Sequence, residues 1–267
     1  MEFNEFVDVV KDLVRDKLPE KYQDAELLIR ENDKINNHYM GLIAMIPGEN
    51  VSPSVNLDIL FDQYKSGTGI SEIADQAAEL LQSDLGNDID FMSMLHYDKD
   101  KIFIRVCAAE QNQELLQDVP HQTMEDLAIT YHVLAGEKDG NSYGSAIITN
   151  ALMERYGISE DQLRQDAMEN SPKLFPVQTT YIVDVLRDLM KNDPSYQEMS
   201  DSEIDALLKD TGPEEDMSMF VVTNDISLNG AAAVFYPHVM DQLAKQYGSD
   251  LILLPSSVHE SATRFAV

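Results

Sequence analysis

The 267 residues carry 48 Asp and Glu against 19 Lys and Arg, a formal charge of −29. A chain this acidic repels phosphate backbones and anionic lipid, which excludes direct nucleic-acid and membrane-surface binding and favours basic partners or cations. Yet 43% of residues are hydrophobic, enough to bury a core, and the single cysteine excludes intramolecular disulfides and cysteine-rich zinc sites.

Residues 2–17 read as an amphipathic helix. Phe3, Phe6, Val7, Val10, Leu13 and Val14 recur at helical spacing, Asp8, Asp12 and Asp16 line the other side, and Pro19 stops it. Residues 25–31 and 38–46 read as a hairpin, and 57–64 and 70–81 as helices parted by Gly67 and Gly69. A strand is expected at 102–107, with Cys107 a buried inert thiol, and a short helix at 111–117. The apolar stretch 127–134 fits a strand or a buried helix. The turn-rich 136–142 and the apolar 146–148 favour a second hairpin there.

Helices are expected next at 150–156 and 160–170, with Gly157 as a stop and Ser159 and Gln162 as a capping box. Another spans 180–191, and Ser200 with Glu203 caps a short one to about 209. Residues 193–216 hold nine acids against the single base Lys209, a solvated excursion. Strands at 219–223 and 231–236 are expected to join through Asn229-Gly230, followed by a helix from Pro237 to Tyr247 and a last buried strand at 251–254. The order of elements is that of an α+β fold, with mainly antiparallel sheet and several amphipathic helices. A boundary near Pro120 would divide it into subdomains 1–118 and 119–267, or leave a single domain.

Signatures of chemistry are weak. Gly140-Asn-Ser142-Tyr-Gly144 matches a nucleophile-elbow pattern, but a hairpin turn lacks the strand-to-helix setting that pattern needs. Ser256, Ser257, His259 and Glu260 cluster after the last strand and are the candidate catalytic residues of a hydrolase. The six histidines show no paired-ligand spacing, and His132 sits in an apolar run as a core residue. No cofactor is expected. The abundant carboxylates allow a divalent-cation binder as a further alternative.

Several stretches together resemble a bacterial family of unknown function, common in anaerobic gut bacteria and often carried near mobile elements. They are Leu18-Pro-Glu-Lys-Tyr22, Gln63-Tyr64 with Gly67, Glu125-Asp-Leu-Ala128, 152–159, 229–234 and Leu254-Pro-Ser-Ser-Val-His-Glu260. The resemblance implies no activity. It implies an apolar end strand after the His-Glu pair, whereas this chain departs after Glu260 and runs Ser261-Ala-Thr-Arg-Phe-Ala-Val267. That departure fits a natural short form or a cut one.

The sequence thus favours an acidic, non-enzymatic, monomeric or weakly associating protein that binds a basic protein surface. One form is a nucleic-acid mimic that blocks a DNA- or RNA-binding protein such as a defence nuclease. A globule of this length is roughly 47 Å across, and duplex DNA over that distance carries about 28 charges. The expected binding residues are Asp184, Asp188, Asp201, Asp205, Glu214, Glu215 and Asp216. The start of the chain lacks a basic-then-apolar leader and no apolar run approaches about 20 residues, so a cytoplasmic location is expected.

Overall fold

The computed structural model describes residues 1–35, 37–48, 52–82, 93–139, 142–197, 199–210 and 219–265, without the side chains of 33, 34, 37, 93, 136–139, 142, 209, 210, 247 and 265. The chain divides into two compact units, Met1–Phe91 and Met92–Val267. Together they form an α+β fold whose three described sheets are antiparallel throughout. The position 118/119 expected as a boundary lies inside the second unit, where a strand before it pairs with one after it.

In the first unit, helix α1 (Phe3–Lys17) buries Phe6, Val7, Val10 and Val14, the stripe that the spacing foretells. It ends at Leu18, whose extended backbone is what a following proline imposes. Strands β1 (Glu26–Lys34) and β2 (Asn37–Met45) form the expected hairpin, and β3 (Ser54–Asn56) adds a short third strand beside β2. Asn56 then caps α2 (Leu57–Lys65), its Oδ1 accepting the N–H groups of Asp58 and Ile59 at 2.9 and 3.1 Å. Helix α3 (Ile70–Leu81) packs against α1 and buries Ile73, Ala74, Ala77, Ala78 and Leu81. The core closes with Leu27, Leu42, Val55, Leu57 and Leu60.

In the second unit, β4 (Ile102–Ala108) and β6 (Leu127–Asp139) are paired, so the ambiguous apolar run at 127–134 is a strand. The far edge of β6 carries β5 (His121–Met124) and then β7 (Ser142–Ile147). The short helix α4 (Gln113–Asp118) lies between β4 and β5 in the chain. Helix α5 (Asn150–Tyr156) stops at Gly157 with φ +68°, and α6 (Glu160–Leu174) starts at Ser159, whose Oγ accepts the Gln162 N–H at 3.2 Å. Only half of the expected capping box forms, because the Gln162 amide donates to Asp166 instead. Helix α6 also closes the free edge of β4. The Ser171 hydroxyl accepts the Ile104 N–H, and the Asn170 amide donates to the Asp100 and Ile102 carbonyls.

The third sheet runs β10-β11-β9-β8, and it corrects four expectations. The helix expected from 180 starts at Ile182, because residues 177–181 pair with 220–224 as strands β8 (Val177–Tyr181) and β9 (Phe220–Asn224). Residues 231–236 do not return as a strand. Both edges of β9 are taken, by β8 and β11, so this buried alanine-rich run coils as the 3₁₀ turn Gly230–Phe235. The strand expected to be buried at 251–254 is β10 (Leu251–Pro255), an edge strand with Ile252 and Leu254 exposed. Finally, Ser261-Ala-Thr-Arg-Phe265, the segment expected to depart from the family, forms β11 (Ser261–Phe265) between β10 and β9. Helix α7 (Ile182–Asn192), α8 (Asp201–Asp210) and α9 (Val239–Tyr247) complete the unit.

Candidate functional site

Two arrangements in the second unit bear on function. The first is the acid-rich pair α7 and α8, which pack together. Residues 182–210 hold eight acids and three bases. Arg187 joins the helices: its guanidinium donates to Asp184 one turn back and, through Nε, to Asp205 on α8 at 2.8 Å. Lys191 pairs with Asp201 at 2.9 Å. Three of the expected binding carboxylates are therefore partly neutralised from within, while Asp188 points to solvent. Half of the expected Ser200–Glu203 capping box forms: the main-chain N–H and the hydroxyl of Ser200 both donate to the Glu203 carboxylate, and the Glu203 N–H goes to the Ser200 carbonyl instead of its hydroxyl. The bonds donated by Ser200 hold the Glu203 carboxyl below its ordinary value. Glu214, Glu215 and Asp216 lie outside the described residues.

Charge is only part of this surface. Helix α7 is strongly two-faced, yet none of its residues is buried. Leu186 and Leu189, three apart and so on one face, are 41% and 62% exposed. Leu207 on α8 and Tyr181 and Val177 on β8 are exposed as well. The sequence alone does not disclose this feature, because periodicity locates an apolar face without saying whether anything covers it.

The second arrangement is a polar network on one face of the β4–β6–β7 sheet. Arg105 lies opposite Thr130 and Phe103 opposite His132, while Ser145 lies opposite Leu134. Strand alternation puts Phe103, Arg105, Thr130, His132, Tyr143 and Ser145 on that face. The Arg105 Nη2 donates to the Tyr143 and Ser145 hydroxyls at 3.2 and 2.7 Å. Its guanidinium lies over the Phe103 and Tyr143 rings. Tyr143 packs on Phe175 with ring centres 4.7 Å apart. The His132 Nε2 meets the Thr130 hydroxyl at 3.0 Å, and its Nδ1 is buried without a partner. Burial, then the nearby Arg105 charge, hold this imidazole well below its ordinary pKa, so it is neutral. It is a core histidine. Cys107, on the same strand as Arg105, is buried too, and burial pushes its thiol up to about 11.

The network continues to the end loop. Asn229 donates through Nδ2 to the Tyr143 oxygen and through its main-chain N–H to the His259 Nδ1, both at 3.1 Å. The His259 carbonyl accepts the Thr223 hydroxyl at 2.7 Å. Ser227, Asn229 and His238 all take positive φ here, a conformation that costs of order 1 kcal/mol or more at each non-glycine residue. The packing is tight: a Cβ on Gly230 would lie 2.6 Å from the Asn224 nitrogen and 2.8 Å from the His259 oxygen.

Nucleophilic catalysis needs a basic nitrogen on the serine hydroxyl. Here the Ser257 Oγ accepts the main-chain N–H of His259, and the ring Nδ1 is taken by Asn229. Among the described residues neither Ser256 nor Ser257 bonds to that ring, and Glu260 meets Ser257 only through its carbonyl. Ser142 opens strand β7 rather than joining a strand to a helix, and Gly140 lies outside the described residues. Among the described residues no group of three His, Cys, Asp or Glu could hold a metal, and no helix is long and apolar enough to cross a membrane. In the first unit a cleft of about 270 Å³ is lined by Arg15, Leu18, Pro19, Tyr22 and Leu27 and assembles no set of reactive groups.

The fold and these sites define an acidic α+β protein of two units. The profile of a family of unknown function, DUF5688, matches residues 3–262, and the chain belongs to that family. No curated protein and no solved structure matches it.

Proposed function

We propose that this is a non-enzymatic protein of the cytoplasm that acts by docking a basic protein surface on the α7–α8 face. The observation that carries the reading is the uncovered apolar face of α7, with Leu189 62% exposed beside the exposed carboxylate of Asp188. Leucines that the fold leaves bare supply desolvated anchors, and the surrounding acids select and steer a cationic partner. Arg187 serves this face by pinning α7 to α8 through Asp184 and Asp205. Nucleic-acid mimicry is a special case, in which the partner's basic surface normally holds DNA or RNA. The mixture of leucine with acid favours an ordinary protein interface over a purely electrostatic imitation of a phosphate backbone.

The test captures partners from the cell's own extract with the wild type and with Leu186→Asp/Leu189→Asp. A captured protein is then purified and titrated against both forms across salt. The expected result is a basic protein whose affinity falls at least tenfold in the double variant and also falls with salt. Competition by duplex DNA for the same protein would select the mimic form. Equal affinity in both variants would remove this face, and a dimer lost in the double variant would make the occupant a second copy of the chain.

A further inference from the structure

We infer that Arg105 and Tyr143 form a binding site for a small oxyanion, a carboxylate or a phosphate group, on the polar face of the β4–β6–β7 sheet. Six described cations, Lys17, Lys65, Arg164, Lys173, Arg187 and Lys191, pair with a carboxylate. Arg105 does not. Its protein acceptors are two neutral hydroxyls, both on Nη2, and its Nε is buried without an acceptor. Among the described residues no carboxylate pairs with it.

The site is built rather than incidental. The guanidinium rests against the Phe103 and Tyr143 rings, 5.7 and 5.4 Å from their centres, and bonds two hydroxyls. The hydrogen bonds around it leave a surplus of donors. The Tyr143 oxygen accepts from both Arg105 and Asn229, which fills its lone pairs and leaves its own O–H to donate. Guanidinium and hydroxyl donors without a resident acceptor match the lone pairs of a carboxylate or phosphate, and arginine suits both by its planar fork. The buried His132 Nδ1 beside this group, also without a partner, marks the same face as polar beyond what packing needs. The strained backbone at Asn229 is what brings its amide to Tyr143 and its N–H to His259.

The test is the thermal midpoint of the full chain at constant ionic strength, with chloride replaced by inorganic phosphate or by acetate. Constant ionic strength removes the general screening that any salt provides to so acidic a chain. The expected result is a saturable rise with one of the two anions, about 3 °C at roughly ten times its dissociation constant. Phosphate alone would assign a phosphate ester and acetate alone a carboxylate. Arg105→Gln, which keeps the stem and hydrogen bonding, should abolish the rise, and Tyr143→Phe should shift its half-saturation several-fold. Should Arg105→Gln fail to fold, the Tyr143→Phe shift decides. No rise over chloride, or a rise with unchanged half-saturation in the folded variants, would overturn the assignment.

Discussion

Helices α1 and α7 are written in the same code and used in opposite ways. Both carry apolar residues at helical spacing with acids opposite. On α1 the stripe is sealed, with Phe6, Val10 and Val14 at 0% exposure against α3 and the first sheet. On α7 nothing is buried, and Leu189 is 62% exposed. Two sheet edges in the second unit repeat the contrast. That of β4 is closed by Asn170 and Ser171 of α6, whereas all five residues of β8 are exposed. An amphipathic pattern is therefore a statement about a face, and burial is a separate fact decided by what the rest of the chain brings to it.

The sharpest way to break this comparison is to truncate one side chain from each helix. Phe6→Ala should cost about 3–5 kcal/mol, the loss typical of a fully buried aromatic. Leu189→Ala should change stability by no more than about 0.5 kcal/mol, as for an exposed position. Denaturant titration measures both, and similar losses would show that the two faces are equally buried in solution. Second in size is Gly230→Ala. Its Cβ would press on the Asn224 and His259 main chains, so a loss of about 1–3 kcal/mol is expected if the Gly230–Phe235 turn is packed as described. Chemical melts of that variant decide whether the turn belongs with the covered segments.

His132 sharpens the comparison through pH. Its folded pKa is depressed, so between that value and about 6.5 the unfolded chain binds a proton that the folded one refuses. Stability should thus rise with pH through that window, by no more than about 1.4 kcal/mol per unit from this group, and be complete above it. His132→Gln should flatten the profile relative to the wild type, and parallel profiles would deny the histidine its buried, neutral state. Among the positions expected to lose stability, the smallest loss is at Asn56→Ala, about 1 kcal/mol for the α2 cap, read as a lowered urea midpoint.

The helices of the first unit were legible in the sequence because local signals and burial agree there. Helix α1, its proline stop, α2 and α3 follow from spacing and breakers alone. In the third sheet the strands β9 and β10 were legible but their pairing was not, since its ladders join residues far apart in the chain: β8 meets β9, and β9 meets β11. A turn dipeptide such as Asn229-Gly230 signals a reversal but does not specify the next element, which here is a 3₁₀ turn instead of a strand. The acids of α7 and α8 could be named from sequence, but not their neutralisation by Arg187, which needs the two helices side by side. The setting of Arg105 is illegible for a similar reason, because its bonding to two hydroxyls, with no carboxylate among the described residues, is a property of the folded sheet.

The central claim is that the uncovered α7–α8 face is the working surface. Amide hydrogen exchange with and without the captured basic partner tests it most directly. The account predicts added protection in 182–192 and 201–210, with α1 unchanged. Protection confined to any other surface, with these two helices exchanging as in the free protein, would contradict it.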